Sequence, residues 1–228
     1  MTGKSGRAGL ANVPADYRLT TTANSPARKE QAQAYRLIDA YVKTFERQFD
    51  DKAEQGGKDT HNRIKSLYLF SESPGTGKTT TASAVLNEWI VTHYVGSVKR
   101  GRQPLQLPAY FLDVNEWQTL FLGFNRGNIP QDIAEQYSRP YYTSMEKAKH
   151  APFAVIDDIG VRGATDAFRG DLHTIINYRT ANGLPTVYTS NLPIEDMAQV
   201  FDARLYDRMR DMCVPIEFEG GSKRGMRK

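Results

Sequence analysis

A chain of 228 residues, 39% of them apolar, has the size and composition of one ordinary globular domain. No apolar run approaches the roughly 20 residues of a membrane-crossing helix, and Lys4 and Arg7 near the start precede no apolar stretch, so neither a membrane span nor a secretory signal is predicted. The net charge of +4 and pI of about 9.1 mildly favour a polyanionic partner, and the single cysteine, Cys213, can form no internal disulfide, which fits a reducing cytoplasm.

In chain order, residues 1–24 are polar and Thr/Ala/Gly-rich and read as an irregular, flexible tail. Ser25-Pro26 has the chemistry of a helix N-cap followed by a first-turn proline. Beyond it Ala34, Leu37, Ile38, Tyr41, Val42, Phe45 and Phe49 recur at helical spacing and predict one amphipathic helix with these residues on its buried face. Residues 50–64 are polar with a glycine pair, so a loop is expected. Strands are predicted at Ser66–Phe70, Ala109–Val114, Phe153–Asp157, Pro185–Ser190 and Val214–Phe218, several of them near-continuous apolar runs. Helical patterns lie between them near 79–94, 115–123, 129–149 and 166–182, with Gly183 as a helix stop. Strands alternating with helices imply a parallel sheet covered by helices. Cys213 reads as a core residue beside the last strand. Trp117 and the Tyr141-Tyr142 pair read as core aromatics, with base stacking the competing reading.

The segment SLYLFSESPGTGKTTTASA carries the strongest chemistry. A strand runs into a Gly/Pro turn, and Gly77-Lys78-Thr79 opens a helix. Phosphate binding needs this order. Gly75 and Gly77 let backbone N–H groups close on phosphate oxygens, and the helix N-terminus adds partial positive charge. The whole run Ser73, Pro74, Gly75, Thr76, Gly77, Lys78, Thr79 and Thr80 is the predicted phosphate cradle, with Lys78 reaching the β- and γ-phosphates and the Thr79 hydroxyl ligating magnesium. The strict pattern has glycine at position 72, where this chain has Glu72, away from the phosphate-contacting half of the loop.

Two later strands complete the pattern. Phe153–Ile156 ends in Asp157-Asp158, as a strand must if it delivers a carboxylate beside the phosphate loop. Asp157 is the predicted magnesium ligand and Asp158 stands where a general base belongs. LPTVYTSNL ends a buried strand in Thr189, Ser190 and Asn191, and Asn191 is the residue expected to orient an attacking water; a plain turn residue before Pro193 is the alternative. In FDARLYDRMRDM, Arg204 and Arg208 lie four apart on one side of a helix. Either they pair with Asp202, Asp207 or Asp211 on the surface, or they reach a phosphate on a neighbouring subunit. Basic residues also cluster at Lys99, Arg100 and Arg102 and at Lys223, Arg224, Arg227 and Lys228, as solvated segments or as nucleic-acid contacts.

The runs PGTGKTTTA, VIDDIG, INYRTANGLPTVYTSNLP, ARLYDRMRD and FEGGSKR, with VPADYR before them, resemble the AAA+ domain of bacterial DnaC/DnaI-type helicase loaders and the related IstB transposition ATPases, over about residues 12–225. The resemblance implies an α/β P-loop AAA+ core: a five-stranded parallel sheet flanked by helices, the sensor strand between the phosphate-loop and acidic strands, and no lid domain. It implies ATP and Mg2+ as cofactors, hydrolysis at Lys78, Asp157, Asp158 and Asn191, and Arg208 as the trans-acting arginine with Arg204 second. It brings Tyr17 and Arg18 near the base. The expected division is a tail or linker at 1–24, the AAA+ ATPase domain at 25–220 and a basic tail at 221–228. The separate N-terminal helicase-binding domain of cellular loaders is expected to be missing or much reduced. The implied function is an ATP-dependent loader of a replicative helicase hexamer onto single-stranded DNA, self-associating into a spiral or ring in the cytoplasm of a bacterial or phage-infected cell, its hydrolysis slow and stimulated by assembly or DNA. The alternatives are an IstB-like transposition helper and a non-hydrolysing, ATP-gated DNA-binding adaptor.

Overall fold

The apolar runs become strands buried on both faces, as a helix-covered sheet requires. In the computed structural model, which describes residues 6–50, 63–160 and 163–222, they are β1 (Ser66–Phe70), β2 (Ala109–Asp113), β3 (Phe153–Asp157), β4 (Thr186–Ser190) and β5 (Cys213–Glu217). All pairings are parallel and the order is β2-β3-β4-β1-β5. β4, the strand expected to carry the sensor residue, therefore lies between β1 and β3. Most of the loop expected over 50–64, and Lys223, Arg224, Arg227 and Lys228, lie outside the described residues.

Helices cover both faces. They are α1 (Arg7–Leu10), α2 (Ala32–Lys43), α3 (Lys78–Lys99), α4 (Val114–Phe124), α5 (Gln131–His150), α6 (Asp166–Asn182), α7 (Met197–Val200) and α8 (Ala203–Met212). One apolar core joins α2 and α3 to the sheet through Tyr35, Ile38, Phe45, Leu86, Trp89 and Phe153. The other joins α4, α5, α6 and α8 to the opposite face through Trp117, Tyr141, Phe168, Ile175 and Leu205. Trp117 and Tyr141 stack within that core, their centroids 4.5 Å apart, whereas Tyr142 is 55% exposed. Cys213 opens β5 and is buried, which pushes its thiol pKa up. The helix boundaries have local causes. Asp113, Thr165 and Asp202 cap α4, α6 and α8 by accepting backbone N–H groups, and Gly183 ends α6 at φ 66°.

The amino-terminal third differs from expectation. The helix predicted from Ser25 begins at Ala32, after turns over 26–31, and Thr44–Phe49 tightens into a 3₁₀ helix. The Ser25 hydroxyl accepts the Tyr35 hydroxyl instead of serving as a helix cap, and Arg28 is clamped on Asp39 at 2.9 and 2.7 Å. Leu37, expected on the buried face, is 51% exposed. Residues 6–24, expected to be irregular, dock on the core. Phe111 of β2 donates its N–H to the Ala11 carbonyl at 2.8 Å, and Asn12 Nδ2 donates to the Phe111 carbonyl at 3.1 Å. β2 is an edge strand, so this segment satisfies backbone groups that would otherwise template pairing with another chain. Asn87 Nδ2 then holds the Tyr17 and Thr20 carbonyls, and Glu88 accepts from Thr22.

Candidate functional site

Parallel strands bring all their carboxyl ends to one edge of the sheet, and the chain leaves β1 and β4, which are neighbours, toward opposite ends of it. A crevice at that point is the expected ligand site of such a sheet. A cleft of about 550 Å³ lies there.

Its floor is the turn between β1 and α3. Gly75 and Gly77 take φ of 74° and 102°, a region that disfavours any residue with a Cβ. A Cβ on Gly77 would also sit 2.6 Å from the Ala27 methyl, so the amino-terminal segment closes against this turn. Lys78 is 8% exposed. Its ammonium donates to the Ser71 and Ser73 carbonyls, each at 3.2 Å, and to Asn191 Oδ1 at 2.8 Å. The Thr79 hydroxyl donates to Asp157 Oδ2 at 3.1 Å.

The carboxylates follow from strand register. Asp113 ends β2 level with Asp157 at the end of β3. Thr189 Oγ1, from β4, donates to Asp157 Oδ1 at 2.7 Å and accepts the Asp158 N–H at 2.8 Å. Asp158 adopts φ 63°, and its Oδ2 accepts from Asn115 Nδ2 at 2.9 Å. Burial pushes the Asp157 carboxyl up to about 6; the charges of Asp113 and Asp158 add to this, while the hydroxyls of Thr189 and Thr79 act against it.

Of the residues singled out in the sequence, Pro74, Gly75, Gly77, Lys78, Thr79, Thr80, Asp157, Asp158, Asn191 and Tyr17 all line this one cleft. Ser73 contributes its carbonyl to Lys78, and Thr76 is buried beneath the turn. Glu72 is exposed beside it. Arg18 is not among the lining residues; its Nε donates to the Val13 carbonyl at 3.0 Å and braces the segment that carries Tyr17. Arg204 and Arg208 are exposed on α8 and are not among the residues that line the cleft. Arg208 donates to Asn177 Oδ1, while Asp207 pairs with Arg210 at 3.0 Å and Asp202 with His173 at 2.8 Å. Sequence reasoning passed over Asp113, Asn115 and Thr189 as site residues. The available signal was a polar residue at, or just beyond, the carboxyl end of β2 and β4, the strands that flank β3.

No family model matches the chain. The replicative helicase loader DnaC of Escherichia coli K12 is 26% identical over 159 residues, which is 70% of this chain and 56% of that protein. The chain therefore spans little more than half the length of this curated relative. Among solved structures, that of DnaI has a TM-score of 0.56 at 22% identity, covering 92% of this chain and 94% of its own. That of the DnaC helicase loader has a TM-score of 0.53 at 20% identity, covering 87% and 98%. The fold is that of an AAA+ P-loop core, a five-stranded parallel sheet flanked by helices, and the chain resembles helicase loaders of the DnaC/DnaI type.

Proposed function

We propose that this chain binds ATP and magnesium in the cleft, hydrolyses ATP when a second copy completes the site, and uses that cycle to deliver a replicative helicase to single-stranded DNA. The nucleotide half rests on one observation: Lys78, Thr79, Asp157 and Asn191 meet at the carboxyl ends of three adjacent strands. The loader half rests on the likeness to a protein named as a replicative helicase loader.

The residues present fit both groups. α3 opens without a side-chain cap on its first amides, and two glycines in the left-handed region precede it, so backbone N–H groups remain for an anion. The buried Thr76 hydroxyl has no hydrogen-bond partner among the described residues. Lys78 rests on carbonyl oxygens, which are weaker acceptors for an ammonium than phosphate oxygens. Thr79 and Asp157 supply the oxygen donors that magnesium prefers. Magnesium held by Thr79 and Asp157 would offset phosphate charge.

The chain's own groups then divide the work. Lys78 neutralises phosphate charge, and Asp157 with Thr79 holds the metal. Asp158 takes the proton of an attacking water, and Asn191 orients that water by hydrogen bonding. Arg208 of a neighbouring copy, with Arg204 second, meets the charge that develops on the transferred phosphoryl group. Tyr17 borders the cleft on the side of the amino-terminal segment, where a base would lie.

The test has two arms. Lys78→Ala should weaken binding of a fluorescent ATP analogue by roughly tenfold to a hundredfold, the value of a charge-assisted contact. Equal affinity in the variant would remove the nucleotide reading. Native mass spectrometry of the chain mixed with its host's replicative helicase, with and without ATP and magnesium, should show a stoichiometric complex. No complex in either condition, with ATP binding intact, would remove the loader half and leave a transposition helper or an ATP-gated adaptor.

A further inference from the structure

Thr189 holds two carboxylate-bearing residues with one hydroxyl. It is 2% exposed, on the strand that separates the phosphate-loop strand from the acidic strand. A threonine hydroxyl has a single proton and two lone pairs. Here the proton goes to Asp157 Oδ1 at 2.7 Å, and a lone pair receives the Asp158 N–H at 2.8 Å. The Thr189 carbonyl accepts the next amide, that of Ile159, at 3.0 Å. The backbone N–H groups of Asp158 and Ile159, the first two residues after β3, therefore end on one residue.

This has two geometric consequences. With Oδ1 of Asp157 pinned from the β4 side, Oδ2 is left turned toward Thr79 Oγ1, 3.1 Å away. The Asp158 backbone is held at φ 63°, a conformation that a residue with a Cβ keeps only when its surroundings enforce it. From that turn its carboxylate reaches Asn115 Nδ2 at 2.9 Å on the rim of the cleft. A valine at 189 would fill the same space and supply neither interaction.

We propose that Thr189 is a positioning residue for the nucleotide site: its hydroxyl sets the orientation of the metal-binding Asp157 and the placement of Asp158 together. The proposal rests on the nucleotide reading given above. It is tested on the full chain with Thr189→Val, which keeps the shape and removes the hydroxyl, and Thr189→Ser, which keeps the hydroxyl. Binding of a fluorescent ATP analogue is measured in EDTA and across a magnesium titration, alongside turnover. The valine variant should bind the analogue in EDTA as the parent does. Its magnesium half-point should rise roughly tenfold, the loss of one charge-assisted hydrogen bond, and its kcat should fall more than its KM rises. The serine variant should restore both. A valine variant with the parent's magnesium half-point and kcat overturns the proposal, as does a serine variant as impaired as valine. Should the valine variant not fold, Thr189→Cys, whose thiol is a poor donor, must show the same magnesium defect. A parent chain that takes no nucleotide at all would sink the nucleotide reading and this proposal with it, and the EDTA arm separates that result from a failure confined to Thr189.

Discussion

Asp157 is ionised against the preference of its surroundings. Burial raises its carboxyl to about 6, against about 4 in an unfolded chain. Between those values the native state keeps a proton that the unfolded state has released, so stability falls as pH rises through this window. Above it the cost is constant, of the order of 3 kcal/mol. Asp157→Asn removes the charge and leaves an oxygen for a neighbouring hydroxyl. In EDTA, that variant should melt at a higher temperature than the parent above pH 6, with the advantage shrinking to nothing near pH 4, while its magnesium dependence of nucleotide binding is lost. Thermal unfolding followed across pH decides it, and a pH-independent difference between the two would count against a buried charge as the cause. A site residue that destabilises its own fold is a common cost of function.

At the scale of elements, one buried cation ties three segment ends together. Arg179, on α6, is 0% exposed. Its Nη1 donates to the Ala148 and Ala151 carbonyls at 2.7 and 2.9 Å, its Nη2 to the Pro185 carbonyl at 3.0 Å and its Nε to Thr186 Oγ1 at 2.7 Å. These acceptors lie at the end of α5 and at the entry to β3 and β4. The guanidinium thus satisfies carbonyls at a helix terminus and sits on the negative end of that helix. Burial lowers its pKa to about 10, which leaves it charged at neutral pH. Arg179→Leu would strand several buried carbonyls, at about 1–3 kcal/mol each, so a loss of at least 3 kcal/mol is expected in denaturant unfolding. Arg179→Lys should not rescue it, because a single ammonium lacks the planar fork that spans these acceptors. A wild-type midpoint for the leucine variant would refute the tie.

At the scale of the molecule, Arg204 and Arg208 on α8 are exposed and are not among the residues that line the cleft, which leaves them for the proposed contact with a second copy. Arg208→Ala should leave analogue binding unchanged and reduce turnover in the assembled state by about a thousandfold, the usual worth of such an arginine. Mixing that variant with Lys78→Ala should restore part of the activity, since the Lys78 variant still offers Arg208 to an intact neighbouring cleft. Wild-type turnover by Arg208→Ala alone would end the trans assignment. The docked segment over residues 6–24 belongs to this scale as well. It covers the β2 edge, and its continuation through Ala27 closes on Gly77, so the edge of the sheet and the nucleotide turn are linked through one stretch of chain.

The strands, the glycine turn into α3 and the pair Asp157-Asp158 were legible in the sequence because each depends on local chemistry. Strands buried on both faces must be apolar throughout, a phosphate turn must lack side chains, and a carboxylate must end its strand to reach the site. Gly183 and the α6 boundaries were legible for the same reason, since a helix stop is written in its own residues. The beginning of α2 was not. Ser25 has the chemistry of a cap, but its hydroxyl is claimed by Tyr35, ten positions on, and no local pattern carries that competition. Residues 11–13 read as polar tail because a strand-edge contact with Phe111 leaves no periodicity in so short a segment. Asn115 and Thr189 were hidden likewise: their roles come from strand order, which sets β2 and β4 on either side of β3, so that Asn115 just after β2 meets the Asp158 carboxylate and Thr189 on β4 meets that of Asp157. The sequence by itself determined the chemistry available and the elements that bear it. Only the tertiary structure decided which polar groups those carboxylates meet, because that depends on register and strand order, and neither is a local property of the chain.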